Sequence, residues 1–139
     1  MPMNYPHVAI LEWTQSLFSP ETFLQMAGGS AGYPWSLVGT VFYAFQNPAT
    51  GRHAIYECEA YAGSWDFFTS NSSGCEGGIS FTPGPLAYLS STYSSSTPVA
   101  VHRCSWTLGP GPAHLDTTDT SICVQGWADQ GVLGYAPSN

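Results

Sequence analysis

The sequence predicts an all-β protein in which three repeats of about 45 residues close into a β-trefoil-like, pseudo-threefold barrel, with a two-sheet β-sandwich as the alternative. Three observations carry this. Gly-x-(Val/Leu)-x-Tyr is written three times, as GTVFY from Gly39, GPLAY from Gly84 and GVLGY from Gly131, 45 and 47 residues apart. A short alternating apolar segment stands at a near-constant distance ahead of each copy. The remaining pieces are brief, β-branched or aromatic, and punctuated by Gly and Pro, as in chains of many short strands.

The leading strand of each repeat is Ala9-Ile10-Leu11-Glu12-Trp13, Ala54-Ile55-Tyr56-Glu57-Cys58 and Ala100-Val101-His102-Arg103-Cys104. A second strand is expected at Ser16–Pro20, Asp66–Ser70 and His114–Thr118, running into Ser, Thr or Pro. Pro20–Met26 then opens like a helical turn, with Ser19 as N-cap and Pro at the first helical position. In the closing Gly-x-(Val/Leu)-x-Tyr, the Gly marks a turn or bulge. Val41, Leu86 and Leu133 with Tyr43, Tyr88 and Tyr135 are expected to form threefold core layers. The chain is thus one domain, with repeats at 5–47, 52–92 and 97–137.

Cys58 and Cys104 share one repeat position, and Cys75 and Cys123 another. This register favours bonding within a repeat, Cys58 to Cys75 and Cys104 to Cys123, with Trp13 in the first repeat where the others have cysteine. An even cysteine count without zinc-like spacing points to an oxidising compartment and no metal. Asn71-Ser72-Ser73 is a glycosylation sequon. The start MPMNYPHVAILEW lacks the basic and small-residue features of an export leader, so an extracellular location implies a leader absent from this chain.

Composition narrows function. With 43% hydrophobic and 14% aromatic residues the chain can bury a core. Only 8% of residues are charged, where about 25% is ordinary. A net charge of −7, with two arginines and no lysine, disfavours nucleic acid and anionic lipid, and no apolar run is long enough to insert in a membrane. Gly28-Gly29-Ser30-Ala31-Gly32 matches Gly-x-Ser-x-Gly, but that motif needs a strand before it and a helix after it, whereas Tyr33-Pro34-Trp35 follows here. The four histidines show no metal-binding pairing, and no carboxylates fall into a recognisable hydrolase motif, so neither an enzyme nor a cofactor is expected.

The connections after the leading strands offer the candidate site residues. In repeats two and three, Gly/Ser/Pro-rich loops place Trp65 beside Asp66, and Trp106 ahead of His114 and Asp116, whereas the first repeat has only Thr14-Gln15-Ser16. An indole beside a fixed polar group suits the apolar face and hydroxyls of a sugar ring, while the competing reading makes both tryptophans lids on the barrel.

The third repeat, with PVAVHRC, AHLDTTD and QGVLGY, resembles a family of secreted microbial and fungal repeats of unknown function. Those units carry a Tyr-Arg strand, a His-Phe-Tyr-Thr-Thr segment and a terminal Glu-Gly-Val-x-x-Tyr. The likeness spans essentially the whole chain. His102-Arg103, His114–Thr118 and Gln130-Gly131 match the three motifs in turn; the family's His is kept only as His114, and its Glu before Gly is nowhere kept. The resemblance implies modules that bind surfaces or glycans.

Together these readings predict a secreted, non-enzymatic, lectin-like module for glycans or a cell-wall or cell-surface glycoconjugate. Two alternatives stand beside it. The Pro-rich loop Leu108–Pro112 suits a secreted protease inhibitor or defence protein, and the scarcity of charge suits a structural protein or homo-oligomer.

Overall fold

The computed structural model describes residues 7–17, 21–108, 113–123 and 126–138. The protein is all-β, with ten strands among the described residues: β1 (His7–Gln15), β2 (Thr22–Met26), β3 (Ser36–Phe45), β4 (Arg52–Glu59), β5 (Phe67–Ser70), β6 (Ile79–Ser80), β7 (Ala87–Ser90), β8 (Val99–Trp106), β9 (His114–Thr117) and β10 (Trp127–Ala136). Two single-turn 3-10 helices, Cys75–Gly77 and Thr120–Ile122, carry the second cysteine of each bridge or lead into it.

The strands form three units, each built on a central strand with antiparallel neighbours on both sides. β1 pairs β2 and β3, β4 pairs β5, β6 and β7, and β8 pairs β9 and β10. One register recurs in all three. Glu12, Glu57 and Arg103 lie opposite Gln25, Thr69 and Asp116, while Ala9, Ala54 and Ala100 lie opposite Tyr43, Tyr88 and Tyr135.

The repeated Gly-x-(Val/Leu)-x-Tyr has a specific use in this ladder. Register slips between Ile10/Leu11 on β1 and between Val132 and Gly134 on β10, leaving Val41 and Leu133 without an opposite number. Leu86, just before β7, is the third such residue, and its N–H bonds the Ile55 carbonyl at 2.7 Å. These are β-bulges, in which the extra residue turns its side chain inward. Leu86 and Leu133 are buried in the core, and Val41 packs against it. Gly39 and Gly131 have φ of +149° and +109°, a backbone open mainly to glycine, where the third strand approaches its bulge.

The bulges shift the side-chain alternation. Ile10, Ile55 and Val101 meet Phe42, Ala44, Ala87, Leu89 and Ala136 in the core. Tyr43, Tyr88 and Tyr135 therefore fall on the other parity and are only half-buried, so the expected tyrosine layers do not form.

Three further expectations are corrected. The hydrogen-bonded path runs β2-β1-β3-β7-β10-β8-β9 and stays open, so the sheet is not a closed barrel. Among the described residues, ladder pairing joins its units only at Phe45–Tyr88 and Tyr135–Ser90, while the short strands β2, β5 and β9 lie beside one another and are linked by side-chain hydrogen bonds rather than a ladder. The segment read as a helical turn is strand β2, because Thr22, Leu24 and Gln25 bury against the centre and tertiary packing overrides the local Pro signal; Ser19 and Pro20 lie outside the described residues. β2 also takes the place assigned to Ser16–Pro20, so the first unit's connection is longer than the three residues expected.

Both disulfides are intra-unit, Cys58–Cys75 and Cys104–Cys123, in keeping with an oxidising environment. Among the described residues no helix is long and apolar enough to cross a membrane.

Candidate functional site

At the centre, where β2, β5 and β9 meet, the paired polar positions of the three units link up. Each leading strand puts its polar residue two positions after a core residue, on the same inward face: Ile10 then Glu12, Ile55 then Glu57, Val101 then Arg103. Each reaches the backbone of a neighbouring unit. The Gln25 N–H donates to Glu57 Oε2 at 3.0 Å, the Asp116 backbone bonds the Glu12 carboxyl, and Arg103 donates to the Thr69 carbonyl at 3.0 Å. Gln25 also donates to Glu12 at 2.9 Å.

Thr69 Oγ1 sits between two carboxyls, 2.9 Å from Glu57 Oε1 and 2.5 Å from Asp116 Oδ2. A hydroxyl has one proton to give, so one of these carboxyls must bring its own. Burial accordingly pushes Glu57 well above the ordinary carboxylate range, and pushes Glu12 to about 8 and Asp116 to about 6. The neighbouring Asp116 charge raises both glutamates further. Glu57 is fully buried and Asp116 is 2% exposed, so this ring is a structural hub beyond the reach of a ligand.

Around the hub run three contacts between units, and they differ. Phe23, Phe67 and His114 occupy one ladder position on β2, β5 and β9. Phe23 meets Trp127 edge-on at 6.0 Å, and Trp127 in turn packs on Trp106 at 5.4 Å. Phe67 meets Trp35 at 5.6 Å, which packs on Trp65 at 5.7 Å. Trp127 and Trp35 directly precede Ala128 and Ser36, opposite Ser105 and Thr14; the matching residue of the second unit, preceding Ile79 opposite Glu59, is Gly78. A Cβ there would lie 2.6 Å from the Glu59 carbonyl oxygen, so the backbone itself forbids a side chain.

The third contact is therefore an open cleft. A cavity of about 310 Å³ lies between units two and three, with Gly77 and Gly78 on one side and His114 on the other. Asp66 and Phe68 come from unit two, Arg103 and Gln130 from unit three. His114 Nδ1 lies 2.8 Å from Asp66 Oδ1, which fixes the ring and leaves Nε2 for the cleft. Arg103 forks onto Glu76, with NH1 at 2.8 Å and NH2 at 3.1 Å, and its Nε donates to Gln130 at 2.7 Å. These hydrogen bonds, with one from Ser70 at 2.6 Å, hold Glu76 down at about 2.

The expected site residues distribute unevenly over this arrangement. Asp66 and His114, placed by sequence in two separate loops, share one cleft. Trp65 and Trp106 are half-buried in the two filled contacts, and Asp116 belongs to the hub. Asn71 is exposed on the turn after β5, at a second cavity beyond the Arg103–Glu76 bridge. Ser30 lies in an exposed strand-to-strand loop, without the following helix a nucleophile elbow needs. Residues 109–112 of the Pro-rich loop lie outside the described residues. Sequence reasoning missed Glu76, Arg103 and Gln130 as one group. The signal available was that Arg103 and His114, the sole matches to the resembled Tyr-Arg and His motifs, fall in the same repeat.

Among the described residues no group of three or more His, Cys, Asp or Glu is arranged to hold a metal ion. Comparison with protein-family models, with curated proteins and with solved structures finds no match to this chain.

Proposed function

We propose that the protein is a secreted, non-enzymatic carbohydrate-binding module whose site is the cleft between units two and three. The reading takes the units as copies of one repeat about a pseudo-threefold axis, two of whose contacts are filled by tryptophan. What carries it is Gly78, where the other units have Trp35 and Trp127. The space so left is lined by planar polar groups already held by partners: the Asp66–His114 pair, the Arg103–Glu76 fork and the Gln130 amide. Such a surface offers donors and acceptors together with little net charge, which matches a neutral polyhydroxy ligand better than a phosphate or a lipid. Its groups are preorganised, so binding spends little on ordering side chains.

The resembled repeat family supports the same place. Its Arg and His motifs are kept together only in the third repeat, as Arg103 and His114, and both border this cleft. The disulfides and the Asn71 sequon fit an extracellular setting. Inhibition of a protease by the Leu108–Pro112 loop and self-assembly remain the competing functions, read out by a protease panel and by concentration-dependent light scattering.

The direct test is a glycan array with the purified protein, repeated with Gln130→Ala and His114→Gln. Glutamine at 114 retains a donor toward Asp66 while removing the free ring nitrogen. Both variants should keep their melting temperature within a few degrees and lose most of the array signal. An unchanged array pattern in both variants would remove this cleft as the site.

A further inference from the structure

The Arg103–Glu76 fork does not close the cleft; it divides it. On its far side lies a second cavity of about 360 Å³, lined by Ser70, Asn71, Ser72, Gly131, Val132 and Leu133. Glu76, Arg103 and Gln130 line both cavities, so one bridge forms their common wall. The bridge is rigid from both ends. Glu76 accepts from Arg103 and from Ser70, whose hydroxyl also accepts from the Ser72 N–H at 3.0 Å. The guanidinium spends four of its five N–H groups on Gln130, the Thr69 carbonyl and Glu76 and keeps one in reserve.

The two cavities differ in chemistry. The first has the paired charges and the Phe68 ring; the second has hydroxyls, an amide and the 42% exposed Val132. Each is near the lower bound for a small-ligand pocket.

We propose that the cleft is a two-site groove that takes a saccharide of at least two rings, one ring in each cavity and the glycosidic link crossing the Arg103–Glu76 bridge. This rests on the carbohydrate reading above and goes beyond it by fixing the minimum length and the second set of contacts. The bridge acts as the register mark: it offers the linkage region one free guanidinium N–H and the Gln130 amide, while the flanking cavities read different faces of successive rings. A longer ligand gains nothing past the second ring except at the groove ends.

The experiment is calorimetric titration of the intact protein with two probe series, glucose through cellotetraose and N-acetylglucosamine through its tetramer. In the series that binds, affinity should tighten about tenfold or more from one ring to two, then level off. Val132→Trp places an indole in the second cavity from a strand position that tolerates aromatic residues. It should abolish the gain from the second ring and leave monosaccharide affinity within about twofold. Ser72→Trp, on the exposed turn, does the same from the opposite wall and stands in if the first variant folds poorly. Binding that is flat with length, or a second-ring gain untouched by both variants, overturns the groove and leaves a single-ring site. Absence of binding by every member of both series, with the array also silent, overturns the carbohydrate reading itself.

Discussion

The buried carboxyl hub makes the protein an acid-stable one that weakens toward alkaline pH, and the size of the effect can be worked from the structure. Glu12 and Asp116 titrate near 8 and 6 in the folded protein, against 4.5 and 3.8 when exposed, chiefly because burial penalises their charged forms. Glu57 shifts the same way. The folded state therefore holds protons more tightly than the unfolded chain. Stabilisation from Glu12 and Asp116 is complete below about pH 4, declines as pH rises through each folded value, and is exhausted above about 8, with Glu57 acting in the same direction. At about 1.4 kcal/mol per pH unit, the gap for Asp116 corresponds to about 3 kcal/mol and that for Glu12 to about 5. The three carboxyls share protons and so do not add; about 3 kcal/mol is the working figure for the loss between pH 5 and 8. For a chain of this size that is a fall in melting temperature of about 10 °C. Below pH 4 the opposite trend sets in, because Glu76, held at about 2 by Arg103, loses its contribution as it protonates. Melting curves from pH 3 to 9 should therefore peak near pH 4 to 5. Glu12→Gln retains the shape of the neutral acid, so it should shrink the slope between pH 5 and 8 and raise stability at pH 8 relative to the parent. A melting temperature that climbs from pH 5 to 8, or a Glu12→Gln variant destabilised equally at both ends, would refute the reasoning.

Three further outcomes follow from the same geometry. Trp106→Ala should lower the melting temperature by several degrees, at a cost of about 2 to 3 kcal/mol, and leave glycan retention intact, since its ring packs on Trp127 away from the cleft. Replacing Cys58 and Cys75 together by serine should cost about 3 kcal/mol through the freed loop of 17 residues, read by urea unfolding, with Cys104 and Cys123 giving a similar loss. If the protein is made in a glycosylating host, a glycan on Asn71 should crowd the second cavity, so the glycosylated protein should bind two-ring ligands more weakly than the same sequence made without glycans.

What the sequence determined by itself is whatever repeats locally: short strands at a common spacing, the cysteine register, and the marked position of Val41, Leu86 and Leu133. Strand parity also had more to give. Ile10 and Glu12, like Ile55 and Glu57, are two residues apart and must share a face, so the inward glutamates were legible, although nothing local says that three units bring them together. The tertiary structure decided the rest. Pro20–Met26 reads as a helix start in isolation, but burial of Leu24 and Gln25 against the other units makes it a strand. The Gly-x-x-x-Tyr tyrosines read as core until the bulge shifts the parity of the strand around them. The expected barrel closure fails because β2, β5 and β9 meet without pairing, so the sheet stays open. The cleft exists for a similarly non-local reason. Gly78 is one glycine among 15 in the sequence, and only in the assembled fold does its backbone face His114 where Trp35 and Trp127 face phenylalanines, leaving a space that no single repeat could announce.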